Sequence, residues 1–140
     1  MVDKPKLDSI LSNLRQYVER LRRLARVPPA ELLADADKIA SAKYHFVVAI
    51  ECCIDIANHM IASGKLRIPR DTADSFAVLV DAGICPADLG EQLKAMARFR
   101  NRLVHLYWDV DDQLVAKYLT DGLADFDRFA AAVSAAAERL

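Results

Sequence analysis

The 140-residue chain is short of the residues that interrupt helices. It has only 4 glycines and 5 prolines, nearly all placed where one helical pattern gives way to the next. No alternating strand pattern, internal repeat or low-complexity linker competes with that reading. Cysteine is equally sparse: Cys52, Cys53 and Cys85 are odd in number and show no C-x-x-C spacing. Adjacent cysteines on a helix cannot both face one ligand, which argues against a zinc site or a disulfide framework. Free thiols in apolar surroundings fit a reducing compartment. There is no excess of one charge either. A net charge of -1 gives no overall field that would draw nucleic acid, so any anion binding must arise from local clustering. No 18-residue uncharged apolar run is present, and "MVDKPKLDSI" lacks an apolar signal core. The expectation is a soluble cytoplasmic protein with no membrane association.

What the chain does have is helix. Hydrophobic residues make up 54% and charged residues 28%, the balance of a globular chain whose residues 1–140 form one domain. Leu7, Ile10, Leu11, Leu14, Val18, Leu21 and Ala25 recur at three-and-four spacing and define a first amphipathic helix. A second is expected from about residue 30 to 63, stopping at Gly64, with a seam through Leu33, Ala40, Val47, Ile54 and Ile61. Tyr44 is expected in its core. A short helix over about 72–81 ends at Gly83, a fourth runs from Pro86 to about 108, and "DVDDQ" caps a last helix to residue 140. The fold class is therefore all-α: an up-and-down bundle of four long helices plus one short helix. A second helix of such length would span roughly 50 Å at about 1.5 Å per residue. That is long for this chain, and it suggests extension into a second copy, hence a homodimer.

One stretch, "RFRNRLVHLYWDVDD", carries most of the chemistry. On a helical wheel Leu89, Leu93, Met96, Leu103 and Tyr107 share a stripe, with Arg100 in its middle. A guanidinium on an apolar stripe is costly unless paired or at a cleft. Glu51, inside the apolar run "AIECCIDIA", is the expected partner that orients it. Glu91, Lys94, Arg98, Asn101, Arg102 and His105 occupy the opposite face, making Lys94, Arg98 and Arg102 a local cationic strip suited to phosphates. On a regular helix Arg100 and His105 point about 140° apart. They converge only if the helix loosens near His105 or if two copies face each other. Tyr107-Trp108 reads as an aromatic plug at the bundle end, Asp109, Asp111 and Asp112 as helix caps, and His45 and His59 as packing or capping residues. Lys65, Arg67 and Arg70 form a second basic loop, read first as solvated. Asp55 and His59 could touch a metal, but a bundle di-metal site wants two E-x-x-H helices, so no metal and no cofactor is expected.

Arg100-Asn101-Arg102-Leu103-Val104-His105-Leu106-Tyr107 resembles the R-x4-H-x-Y motif of HEPN-domain ribonucleases, in particular the HepT-like toxins. The order of helices and the glutamate in "AIECCIDIANHMIA" extend the resemblance over nearly the whole chain. It implies a homodimeric toxin of a type VII-like toxin–antitoxin system, a metal-independent endoribonuclease acting on tRNA or mRNA. Arg100 and His105 would be the catalytic pair, Asn101 and Glu51 their supports, and Lys94, Arg98 and Arg102 RNA contacts. Histidine's ordinary pKa, about 6.5, suits it as general acid or base, and a planar guanidinium suits charge building on phosphorus. The implied partner is a nucleotidyltransferase antitoxin of the MNT type. It would add adenylyl groups to Tyr107, neutralising the arginine and blocking the cleft. The loop of Lys65, Arg67 and Arg70 is alternatively an RNA or antitoxin contact. The alternatives are a non-catalytic HEPN partner that binds nucleotide or RNA beside a nucleotidyltransferase, and a plain dimeric scaffold. The intact Arg100/His105 pair favours the ribonuclease, and a charge on an apolar stripe disfavours the scaffold.

Overall fold

A computed structural model of the chain describes residues 2–139, and among these only helices and connecting turns are present. Helix α1 is Lys4–Ala25, α2 Pro29–Leu33, α3 Ala36–Ser63, α4 Asp74–Asp81, α5 Ala87–His105, α6 Asp112–Asp121 and α7 Leu123–Arg139. A single 3-10 turn, Tyr107–Asp109, separates α5 from α6. The all-α bundle is thus present, but three long helices differ from the sequence reading.

The expected second helix is two. Asp35 takes an extended conformation and its carboxylate accepts from the backbone N–H groups of Asp37 and Lys38, capping α3. α2 is left as a five-residue turn started by Pro29. The buried seam also lies one position earlier than the sequence spacing predicts. Ile39, Phe46, Cys53 and Met60 are buried, with Ala42, Ala49 and Ile56 between them, whereas Leu33 is exposed. Ala40 is also exposed and Val47 is half-buried, although Ile54 and Ile61 remain inside. α3 lies among α1, α4 and α5, so it is buried on more than one side. By length and composition α3 could cross a membrane, with a window of mean hydropathy 1.5, but here it is the core helix.

The last helix is also two, broken at Gly122 between α6 and α7. The fourth ends at His105 rather than near 108. Leu106 leaves helical geometry (φ -137°, ψ 38°), and Val110 then runs extended and buries its side chain at the bundle end. Val110 therefore fills the place expected of Tyr107-Trp108. Continuing the helix would have carried this β-branched residue past the core.

Phe46 sits at the centre. Its ring meets Phe99 edge-on at 5.6 Å, Tyr118 at 6.1 Å and Phe126 at 6.5 Å, while Phe99 stacks on Tyr118 at 4.4 Å. This cluster locks α3, α5, α6 and α7 together and fixes the level at which α5 passes α3. Burial pushes the thiols of Cys52 and Cys85 up to about 11 and that of Cys53 well above the ordinary thiol value. These cysteines behave as small core side chains.

The loop between α3 and α4 is held by one buried carboxylate. Asp74 takes both Nη atoms of Arg67, at 2.7 and 3.1 Å, and the backbone N–H of Arg70 at 2.9 Å. Arg67 is thus engaged with carboxylates of α4, not free as a solvated basic contact. Its guanidinium first, then the Arg70 N–H, hold the Asp74 carboxyl well below the usual carboxylate range. A folded-state value below the unfolded one of about 3.9 gives stability that is complete above it and lost as pH falls through that range. The wild-type melting temperature should therefore drop between about pH 5 and pH 3. Asp74→Asn should melt lower at neutral pH and lose part of that acid slope; parallel slopes for the two proteins would contradict it.

Candidate functional site

The site lies where α5 crosses α3. Leu89, Leu93, Met96 and Leu103 of α5 are buried, and Arg100 falls among them with its side chain 23% exposed. Its Nη2 donates to Glu51 Oε1 at 2.8 Å, the expected pairing across 49 residues of sequence. Nη1 donates to Asn101 Oδ1 at 3.0 Å, so Asn101 braces the arginine rather than the histidine. Nε is buried and has no partner. The guanidinium has five N–H groups; two are bonded and Nε is buried, which leaves one N–H on each Nη atom for an anion. Arg100 is therefore fixed in place but not saturated.

His105 is the last residue of α5, exposed, and its helix stays regular up to it. The helix does not loosen before His105; the backbone departs only at Leu106. Among the described residues no hydrogen bond links Arg100 and His105. One points inward to Glu51, and the other faces solvent at the helix end.

Tyr107 does not lie on the Arg100 stripe, because the helix has ended. It stands 60% exposed in the 3-10 turn, its ring perpendicular to that of Trp108 at 5.3 Å. A tyrosine so placed is open to a modifying enzyme. Of the cationic strip, Lys94 is tied to Glu91 at 2.7 Å, whereas Arg98 and Arg102 form no ion pair among the described residues. Arg102 reaches the backbone oxygen of Asp109 at 3.4 Å. Asp111 caps α6 through the Gln113 N–H, and Asp112 pairs with Lys43 of α3 at 3.1 Å. These contacts hold the connection beyond the motif against the bundle.

Val104 of α5 and Leu106 just beyond it are exposed, and so is Tyr44 on α3, expected in the core. Its neighbour His45 is the buried one: Nδ1 lies 2.7 Å from the Ser41 carbonyl and the ring packs edge-on against Tyr44 at 5.1 Å. Tyr44 is exposed because the buried face of α3 lies one residue earlier than the heptad spacing predicts. Trp108 is exposed because α5 ends three residues before the expected position. The run Asp109-Val-Asp-Asp, poor in helix formers, is the sequence signal for that earlier end.

A helical bundle with Arg100 braced by Glu51, His105 at the end of the same helix and an exposed tyrosine two residues on defines the HEPN class of proteins. Residues 14–133 match the family described as ribonuclease HepT-like, and the chain belongs to that family. It is 37% identical over 79 residues to the mRNA nuclease HepT of Shewanella oneidensis, an alignment covering 56% of this chain and 59% of the relative. The chain thus spans about three fifths of that relative's length. Its fold matches a tri-AMPylated Shewanella oneidensis HEPN toxin in complex with MNT antitoxin. There the TM-score is 0.87 and the identity 26%, with 96% of this chain and 99% of the other covered. A cytosolic Bacillus subtilis protein of unknown function, YutE, shares the fold at TM-score 0.87 and 20% identity, covering 99% and 92% of the two chains.

Proposed function

We propose that this protein is a toxin endoribonuclease, cytoplasmic and homodimeric, that cuts RNA at a site formed by Arg100 and His105 without a metal. The observation that carries this is the Arg100–Glu51 pair: a guanidinium held at 2.8 Å on the otherwise apolar stripe of α5, with donors to spare. His105 lies on the same helix but points elsewhere, so two copies facing each other would complete the cleft. The exposed apolar residues Tyr44, Val104 and Leu106 supply a surface for that contact.

In the cleft the RNA 2′-hydroxyl attacks the adjacent phosphorus. His105 takes the hydroxyl proton or delivers one to the departing 5′-oxygen, and Arg100 stabilises the phosphorane's added negative charge. Cleavage leaves a 2′,3′-cyclic phosphate and a free 5′-hydroxyl. Arg98 and Arg102, with Lys94 beside them, contact the backbone. A nucleotidyltransferase antitoxin of the MNT type silences the site by adding adenylyl groups to Tyr107, whose exposure supports that assignment.

Incubation with such an antitoxin and ATP should add adenylyl mass to the wild type and abolish RNA cleavage. Tyr107→Phe should gain no mass and keep cutting. Silencing of Tyr107→Phe to the same extent as wild type would overturn the assignment of Tyr107.

A further inference from the structure

Trp108 is 71% exposed at the end of the motif, an unusual position for the largest apolar side chain. It is not there to close the bundle, since Val110 does that. The turn that carries it is fixed on both sides. The Asp109 N–H donates to the Leu106 carbonyl at 2.8 Å, Arg102 holds the Asp109 carbonyl, and Val110 is anchored in the core. The Tyr107 and Trp108 rings meet at 81° with centroids 5.3 Å apart. Arg98 and Arg102, one turn apart on α5 and without ion pairs among the described residues, run toward this turn.

We infer that Trp108 is a stacking platform for an unpaired nucleobase beside the cleavage site, so that the protein selects single-stranded over paired RNA. The inference rests on the ribonuclease reading and deepens it. A backbone lying on Arg98 and Arg102 brings its bases to the end of α5, where the indole waits. Every base has a π-face, so such a platform is tolerant of sequence. In a duplex those faces are occupied by neighbouring bases, and an A-form helix offers its shape rather than its rings. The fixed turn matters here, because a ring carried on an already ordered backbone loses less freedom when a base lands on it.

Trp108 is the only tryptophan in the chain, so intrinsic fluorescence reports on this residue alone. The test uses the full-length protein and a 2′-O-methyl oligonucleotide, which lacks the attacking hydroxyl and is not cut. Binding is followed separately by the anisotropy of a fluorescein label on that oligonucleotide. Acrylamide should quench Trp108 readily in the free protein. The single strand should quench its emission by roughly half or more, and the matching duplex should not. Trp108→Ala should weaken single-strand binding roughly 5- to 100-fold, and Trp108→Phe should recover most of it. The exposed position keeps both variants folded, which their melting curves check. Binding with unchanged emission, equal binding of strand and duplex, or an indole already shielded from acrylamide by a second copy would each overturn the inference while leaving the ribonuclease reading intact. No oligonucleotide binding, together with no cleavage of unmodified RNA, would remove both.

Discussion

Replacing Arg100 by alanine is expected to lower RNA cleavage roughly 10²- to 10³-fold, the usual cost of removing one preorganised donor to a developing oxyanion. The argument is geometric. Glu51 and Asn101 fix the guanidinium before substrate arrives, so no reorganisation is needed when charge builds on phosphorus. Arg100→Lys should recover little, because an ammonium cannot keep Glu51 and reach the phosphate with the same fork. Glu51→Gln is the informative companion. It keeps the arginine and a hydrogen-bond acceptor but removes the charge, so a smaller loss, on the order of tenfold, is expected. If Glu51 acts only by positioning Arg100, the double variant should be no worse than Arg100→Ala alone. Additive losses would mean that Glu51 acts on substrate independently. The loss in Arg100→Ala must be in activity rather than folding, which a melting curve resolves.

Phe46→Ala is expected to cost about 3–5 kcal/mol of stability, the range for emptying a fully buried aromatic site. Phe46 has no exposed surface and touches rings from three other helices, so collapse around the cavity would have to move more than one element. Against a typical total of about 5–15 kcal/mol that loss is large. Urea unfolding should show a lower midpoint with little change in slope. A shift below about 1 kcal/mol would mean that the four-ring cluster is not the centre of the core. The same cluster bears on function through one covalent step. Phe99 precedes Arg100, so the ring packing that seats Phe99 on Phe46 and Tyr118 also aims Arg100 at Glu51.

Much of this was legible in the residues. A charge on the apolar stripe of α5 demanded a partner, and the acid within the apolar run of α3 was the residue able to meet it. Both statements follow from the cost of an unpaired buried charge, which depends little on where helices begin and end. The boundaries were harder because each is decided by competition between local and distant groups. Asp35 could continue a helix or cap one, and the gain of two N–H bonds chose the cap. Tyr107 and Trp108 continue the helical period of α5, yet burying Val110 and capping α6 with Asp111 end the helix at His105. That single displacement changed the meaning of two residues. It moved Tyr107 off the arginine stripe and turned Trp108 from a plug into an exposed surface. Arg100 and His105 lie on one regular helix but face different ways, so helical spacing alone does not bring them together.

The central claim is that this Arg/His pair cuts RNA without a metal, and one assay tests it directly. Wild type and His105→Ala are incubated with total tRNA and a model mRNA in EDTA, and the products are resolved on a gel. His105 is exposed, so its removal should leave the fold unchanged while cleavage falls roughly 10²- to 10⁴-fold, the range for a general acid–base group. Cutting by the wild type alone, unaffected by EDTA, is the predicted result. Equal cutting by both proteins, or none by an unmodified wild type, would contradict the account.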